Sequence, residues 1–259
     1  MFGFLLDLEG VVVKDKTYSL FSEALTFTQE LDKRKIPWVI ITNNSTDKPN
    51  NLIKFLRDKG LNINEKRIVT PLLSAVEKLR KDSVKKLYIL GTKDIKLFFK
   101  ENNFEVREDR HVDAVVVGLD KSIDYKKLKI ATSALVIGSA NLYSFHLNKL
   151  TKDTDGLIIP SVGAIAKALS YATDKEIISL GKPSKEYFEG ALSLLETRDA
   201  YMVSDDPFSD LAGGKENMGF KTVFVLCGKY NNISVLNNIP QNLRPDYIFN
   251  DISGCLKLI

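Results

Sequence analysis

Short apolar runs along this chain alternate with segments in which apolar residues recur every three or four positions, and most of the runs end on polar residues. Phe4 to Leu6 opens the pattern as a buried strand that closes on Asp7-Leu8-Glu9-Gly10. Phe21, Leu25, Phe27 and Leu31 then mark a helix over 21–35, stopped by Ile36-Pro37. Trp38 to Ile41 reads as a second strand, ending in Thr42-Asn43-Asn44-Ser45. Helices follow near 48–59 and from Pro71 to Lys81, the latter with proline in its first turn. From about Val84 the alternation restarts, with strands at 87–91, 114–118 and 135–138 and helices at 94–102 and 125–134. A less regular stretch over 139–156 leads to a helix at 161–171. The remainder predicts strands at 177–180, 201–203, 222–226 and 247–249, with helices at 184–196, around Leu211 to Met218 and at 252–258. This order predicts an α/β protein with parallel sheet and right-handed crossovers, and the restart near Val84 predicts a second, smaller α/β unit.

Composition narrows the class. The chain has 259 residues, 44% hydrophobic and 27% charged, which suits a soluble globular protein of one or two domains. Its net charge of +4 is spread over interspersed lysine, arginine, aspartate and glutamate, with no basic stripe interleaved with aromatics, so no nucleic-acid partner is expected. Cys227 and Cys255 are too few for a disulfide framework and read as buried thiols in a reducing compartment. No apolar run approaches the roughly 20 residues of a membrane span, and the first strand starts too early to leave room for a signal peptide. A cytoplasmic protein without a membrane partner is expected.

The candidate chemistry lies at the strand ends. In a parallel sheet the C-terminal ends of the strands share one edge, so polar clusters that follow strands converge however far apart they are in sequence. Such clusters are Asp7/Glu9, Thr42/Asn43/Asn44, Lys182 and Asp205/Asp206/Asp210. If the first strand stays extended, Asp7 and Glu9 share one face and can reach one cation or one reacting group. Crowded carboxylates favour a hard cation such as Mg²⁺, and a lysine beside them suits a phosphate. Phosphoryl transfer to an aspartate uses all of these groups together. Each residue also has a plainer reading: a strand running into a solvated acidic turn, an aspartate capping a helix, a surface lysine. His111 and His146 fit nothing in the pattern and read as surface or packing residues.

The order and spacing of Asp7-Leu8-Glu9-Gly10-Val11, Thr42-Asn43-Asn44-Ser45, Gly181-Lys182-Pro183 and Ser204-Asp205-Asp206-Pro207-Phe208-Ser209-Asp210 resemble the haloacid dehalogenase superfamily. Thr-Asn-Asn-Ser with a long insertion before Gly-Lys-Pro is similar to its 4-nitrophenylphosphatase or NagD-type branch. The resemblance implies a Rossmann-like, doubly wound parallel sheet core from residues 1–77 and 176–259. An α/β cap inserted at 78–175 would close over the site and choose the substrate. It implies a Mg²⁺-dependent phosphatase of small phosphorylated metabolites, acting through an aspartyl phosphate. Asp7 would be the nucleophile, and Glu9 the acid to the leaving oxygen and then the base to water. Asp7, the Glu9 carbonyl and Asp205 would hold Mg²⁺, with Asp210 or Asp206 orienting its water. Thr42, Asn43, Asn44 and Lys182 would bind the phosphate. Gly118-Leu119-Asp120 and Pro160-Ser161-Val162-Gly163 match segments near the substrate in relatives, which makes Asp120 and Gly163 candidates for substrate contact. Relatives often pair through the cap, so a homodimer is the corresponding expectation.

The chain departs from the pattern in three places. Glu9 stands where the family's phosphatases have aspartate, which moves the acid by one methylene. A displacement of about 1 Å can cost on the order of 10²-fold in rate. Ser204 stands where glycine is usual and threatens to crowd the metal loop. Leu142 follows Ser139-Ala140-Asn141 where relatives commonly carry an acid. Glu9 and Ser204 together keep a second function in view, a catalytically weakened member retained for binding or regulation.

Overall fold

Alternate residues of the opening strand, Phe2–Asp7, point into two different cores. Phe4 and Leu6 pack with Phe27, Leu31, Val203 and Val223, while Leu5 packs with Tyr187, Phe188, Leu195, Met202 and Phe224. A strand buried on both faces explains why its sequence is continuously apolar instead of alternating. The helix Ser22–Lys33 contributes to the first of these cores and the helix Lys185–Leu195 to the second, so the sheet is doubly wound.

The computed structural model describes residues 2–14, 17–153 and 155–259; Met1, Asp15, Lys16 and Thr154 lie outside the described residues. The chain forms two compact units. One comprises Met1–Thr42, Asn50–Val69 and Lys182–Ile259, the other Asn43–Pro49 and Thr70–Gly181.

In the first unit the strands run, across a parallel sheet, in the order Tyr247–Phe249, Lys221–Val225, Asp199–Ser204, Phe2–Asp7, Trp38–Ile41 and Ile68–Val69. Leu6 lies opposite Val203 and Asp7 opposite Ile41. Asp7, Thr42 and Ser204 therefore sit side by side at the C-terminal edge of the sheet, where open α/β folds bind ligands.

The second unit has its own parallel sheet, in the order Ile177–Ser179, Asn141–Ser144, Ala114–Val117, Lys86–Leu90 and Glu105–Val106, and an antiparallel pair, Leu150–Lys152 with Ile158–Pro160. Its core includes Leu72, Leu79, Phe99, Val115, Leu135, Tyr143 and Phe145. Among the described residues no helix is long and apolar enough to cross a membrane.

Two sequence expectations change. The run Leu135-Val136-Ile137-Gly138 is not a strand: the helix that begins at Tyr125 continues to Val136. Leu135 keeps the helix's buried face, whereas Val136 and Ile137 are 58% and 66% exposed. A four-residue apolar run fits either element, and here the helical spacing from Ala131 and Ala134 wins. The strand lies instead at Asn141–Ser144, inside the stretch read as irregular. The line between the units also falls elsewhere than at 77/78 and 175/176. The helix Pro71–Lys81 buries Leu72, Ala75 and Leu79 in the second unit's core, and Ile177–Ser179 pairs with Asn141–Ser144. Both elements thus belong to the second unit, within its segment Thr70–Gly181.

Candidate active site

The site is built where the opening strand stops. The strand ends at Asp7, and the chain then winds into a turn in which the Leu8 carbonyl accepts the amides of Val12 and Val13, both at 2.9 Å. Gly10, at φ +80°, donates its amide to the Val13 carbonyl at 2.8 Å. That backbone region is open to glycine and strained for other residues. Asp7 and Glu9 consequently do not share one face of an extended strand. The turn sets the direction of Glu9, whose Oε2 accepts a hydrogen bond from Thr42 Oγ1 at 2.9 Å.

Asp7 is held from several sides. Its Oδ1 accepts the Leu8 amide at 2.8 Å and lies 2.7 Å from Lys182 Nζ. The same ammonium lies 2.6 Å from Asp210 Oδ2, and the lysine is 2% exposed. Ser204 Oγ is 3.0 Å from Asp7 Oδ2 and 3.0 Å from Asp210 Oδ2, and it accepts the Asp206 amide at 3.1 Å. Ser204 therefore bridges the two acids instead of crowding them.

The residues after Ser204 divide the work between two aspartates. Asp206 Oδ1 accepts the amides of Phe208 and Ser209, each at 3.0 Å, capping the tight helical turn Pro207–Leu211, and its Oδ2 pairs with Lys229 Nζ at 2.8 Å. This turn carries Asp210 back to Lys182. Asp205 rests in a glycine cradle: a Cβ on either Gly10 or Gly228 would overlap its carboxylate, which accepts the Lys229 amide.

Tyr187 supports Thr42 in a way that the sequence does not announce. Its hydroxyl accepts the Thr42 amide at 2.9 Å and donates to the carbonyl of Thr42 or Val69, at 2.8 and 2.7 Å. Burial pushes this phenol far up, so it stays protonated as a donor. In the sequence Tyr187 is just one more residue on the apolar face of a helix.

The electrostatics follow from burial. Desolvation pushes Asp7 up, and Asp205 and Glu9 add to the rise while Lys182 opposes it. Desolvation likewise brings Asp210 up to about 7 against the opposing Lys182 charge, with Asp7 adding to it. Asp205 is pushed up to about 6, again chiefly by burial, although the Lys229 amide works the other way. Burial alone would push the Lys182 ammonium down, but Asp210 and Asp7 overcome it and hold the lysine charged. Three buried acids face one buried ammonium. That excess of hard oxygen donors suits a divalent cation such as Mg²⁺. Among the described residues no three acidic, histidine or cysteine side chains form a ready-made cage. Mg²⁺ asks for less, needing one or two carboxylates while water and phosphate fill its remaining positions.

The other sequence candidates belong to the second unit. Asn44 Oδ1 accepts the amides of Thr46 and Asp47, each at 3.1 Å, so the side chain shapes its own turn. Asn43 packs where a Cβ on Gly181 would overlap its Oδ1. Asp120 pairs with Lys127 Nζ at 2.7 Å and accepts the Ser122 amide at 2.9 Å. Gly163 donates its amide to the Asn148 carbonyl at 3.0 Å, and any side chain there would overlap the backbone of Leu147. The segments 118–120 and 160–162 do come together. They line a cavity of about 270 Å³ with Ile123, Ile159 and Ile165, and with the ion pair of Lys121 and Asp153.

Comparison with known proteins places both ends of the chain in one family. The model of the haloacid dehalogenase-like hydrolases matches residues 4–105, which include Asp7, Glu9 and Thr42. The HAD-hydrolase-like model matches residues 179–255, which include Lys182, Ser204, Asp205 and Asp210. An acid sugar phosphatase of Staphylococcus aureus is 28% identical over 98% of this chain and 96% of its own length. The structure of a p-nitrophenyl phosphatase from Archaeoglobus fulgidus superposes with a TM-score of 0.88 at 24% identity, covering 99% of this chain and 98% of the other. NagD from Escherichia coli K-12 superposes with a TM-score of 0.83 at 20% identity, covering 97% and 96%. These two structures share the fold. With family models matched at both ends of the chain, over the segments that bring Asp7, Thr42, Lys182 and Asp210 together, the chain belongs to the haloacid dehalogenase-like hydrolases.

Proposed function

We propose that the chain is a Mg²⁺-dependent phosphatase that hydrolyses monoesters of small phosphorylated metabolites through an aspartyl phosphate on Asp7. The observation that carries this reading is the buried Lys182 ammonium, bonded at once to Asp7 and Asp210. It holds positive charge beside a carboxylate nucleophile, where phosphate oxygens need it.

An Asp7 carboxylate oxygen attacks phosphorus in line, the bond to the leaving oxygen breaks, and Glu9 gives that oxygen its proton. Glu9, now ionised, takes a proton from water as the water oxygen attacks phosphorus. The bond between Asp7 and phosphorus breaks, releasing phosphate and restoring the carboxylate. Thr42 Oγ1 and Lys182 Nζ hold the phosphate oxygens. Asp7, the Glu9 carbonyl and Asp205 would hold Mg²⁺, and Asp210 its hydration. The cation supplies neutralisation of charge on the transferring group. Substrate choice falls to the inserted unit, with Asp120 and Gly163 on its candidate segments. The name of the Staphylococcus aureus relative puts phosphorylated sugars first in a substrate screen.

The test is hydrolysis of p-nitrophenyl phosphate. Turnover is expected with Mg²⁺, background with EDTA, and recovery when Mg²⁺ is restored. A folded protein without turnover under any divalent cation overturns the reading.

A second reading, a weakened member kept for binding, is favoured by one observation: Glu9 is engaged by Thr42 and carries one methylene more than the family's aspartate. Glu9→Gln separates the two readings. It keeps the shape and removes the proton, so kcat is expected to fall by about 10²-fold if Glu9 is the acid and base. Should the natural protein be inactive while Glu9→Asp turns over, the binding reading stands.

A further inference from the structure

We propose that Ser204 is a positioning residue for the nucleophile, acting through one hydrogen bond from its hydroxyl to Asp7 Oδ2. The inference rests on the reading of Asp7 as the nucleophile. Ser204 closes the strand Asp199–Ser204 and is wholly buried. Its register places it beside Asp7, since Val203 lies opposite Leu6.

A hydroxyl has one proton to donate. Ser204 Oγ accepts the Asp206 amide at 3.1 Å and faces two carboxylate oxygens, Asp7 Oδ2 and Asp210 Oδ2, each at 3.0 Å. With Asp210 Oδ2 already receiving the Lys182 ammonium at 2.6 Å, Asp7 Oδ2 is the acceptor with more need of the proton. Asp7 is then held on both oxygens: Oδ1 by the Leu8 amide and Lys182, Oδ2 by Ser204. A carboxylate gripped at both ends cannot turn about its Cβ–Cγ bond without breaking a hydrogen bond. The Asp206 amide orients the hydroxyl, so the loop that carries Asp205 also sets the angle of the nucleophile.

The experiment compares kcat and KM for p-nitrophenyl phosphate in the natural protein, Ser204→Ala, Ser204→Gly and Ser204→Thr, normalised to folded protein by circular dichroism. Crystal structures of the metal-free natural protein and of Ser204→Ala accompany the kinetics. Alanine and glycine are expected to lower kcat about tenfold with KM within about twofold, and threonine, which keeps the hydroxyl, to recover kcat to within about threefold. In the alanine crystal the Asp7 carboxylate is expected to turn away from its orientation in the natural protein. A natural kcat in Ser204→Ala, a change confined to KM, or an unmoved Asp7 in the alanine crystal each overturns the proposal. If threonine does not fold, the alanine kinetics and crystal decide alone. A natural protein with no turnover counts against the phosphatase reading instead, and the orientation of Asp7 in the two metal-free crystals still decides the role of Ser204.

Discussion

Asp7→Asn is expected to abolish hydrolysis of p-nitrophenyl phosphate, lowering kcat by at least about four orders of magnitude while the protein stays folded. The amide has nearly the shape of the carboxylate but cannot form the acyl phosphate. Its partners remain usable. The amide oxygen can accept from Leu8 and Lys182 in place of Oδ1, and the amide nitrogen can donate to Ser204 Oγ, which then donates to Asp210. The substitution also removes one of the acids whose mutual repulsion and burial push Asp7, Asp205 and Asp210 up. Thermal unfolding is therefore expected at the natural temperature or slightly above it. Loss of turnover without loss of fold would set Asp7 apart from the structural residues around it. Turnover retained in the variant would move the phosphoryl transfer to another group.

Lys182→Met carries the second large effect, and it falls on stability and rate together. The thioether fills much of the lysine's volume but leaves Asp7 and Asp210 without the ammonium at 2.7 and 2.6 Å. Removing one partner of a buried ion pair costs about 3–5 kcal/mol, because the remaining charge is stranded away from water. Denaturant unfolding at neutral pH, without added metal, measures this directly. In the same variant kcat is expected to fall by about 10³-fold, the scale seen when a preorganised charge-stabilising donor is lost. The double variant Lys182→Met/Asp210→Asn distinguishes the two losses. Neutralising Asp210 removes one stranded charge, so part of the stability is expected to return while kcat does not. If the double variant regained activity, Lys182 would be a structural counter-charge and nothing more.

Much of the site is legible in the chain because strand ends announce themselves. Asp7, Thr42 and Asp205 each follow a strand of one parallel sheet, which gathers such positions at one edge, whereas the run before Lys182 pairs in the other sheet and Asp210 arrives on the turn Pro207–Leu211. What stays hidden is direction. Asp206 and Asp210 are equivalent in sequence as acids near a helix start, yet one caps the turn and pairs with Lys229 while the other meets Lys182. Glu9 reads as a strand neighbour of Asp7, and its actual aim depends on the turn made by Gly10 and Val13. Tyr187 carries no local signal, since its partners Thr42 and Val69 come from distant segments.

The local pattern of this chain by itself determined the α/β class, the restart that marks a second unit, and the strand-end residues from which chemistry could be expected. Periodicity records which face of an element is apolar, and that information is local. Only the tertiary structure decided that Leu135 and Val136 end a helix, that Asn43–Pro49 and Thr70–Gly181 form the second unit, and that Ser204 stands between two acids. Those outcomes depend on strand register and on which cores the elements fill. A shift of one residue in the pairing of Leu6 with Val203 would turn each side chain of the strand to the opposite face.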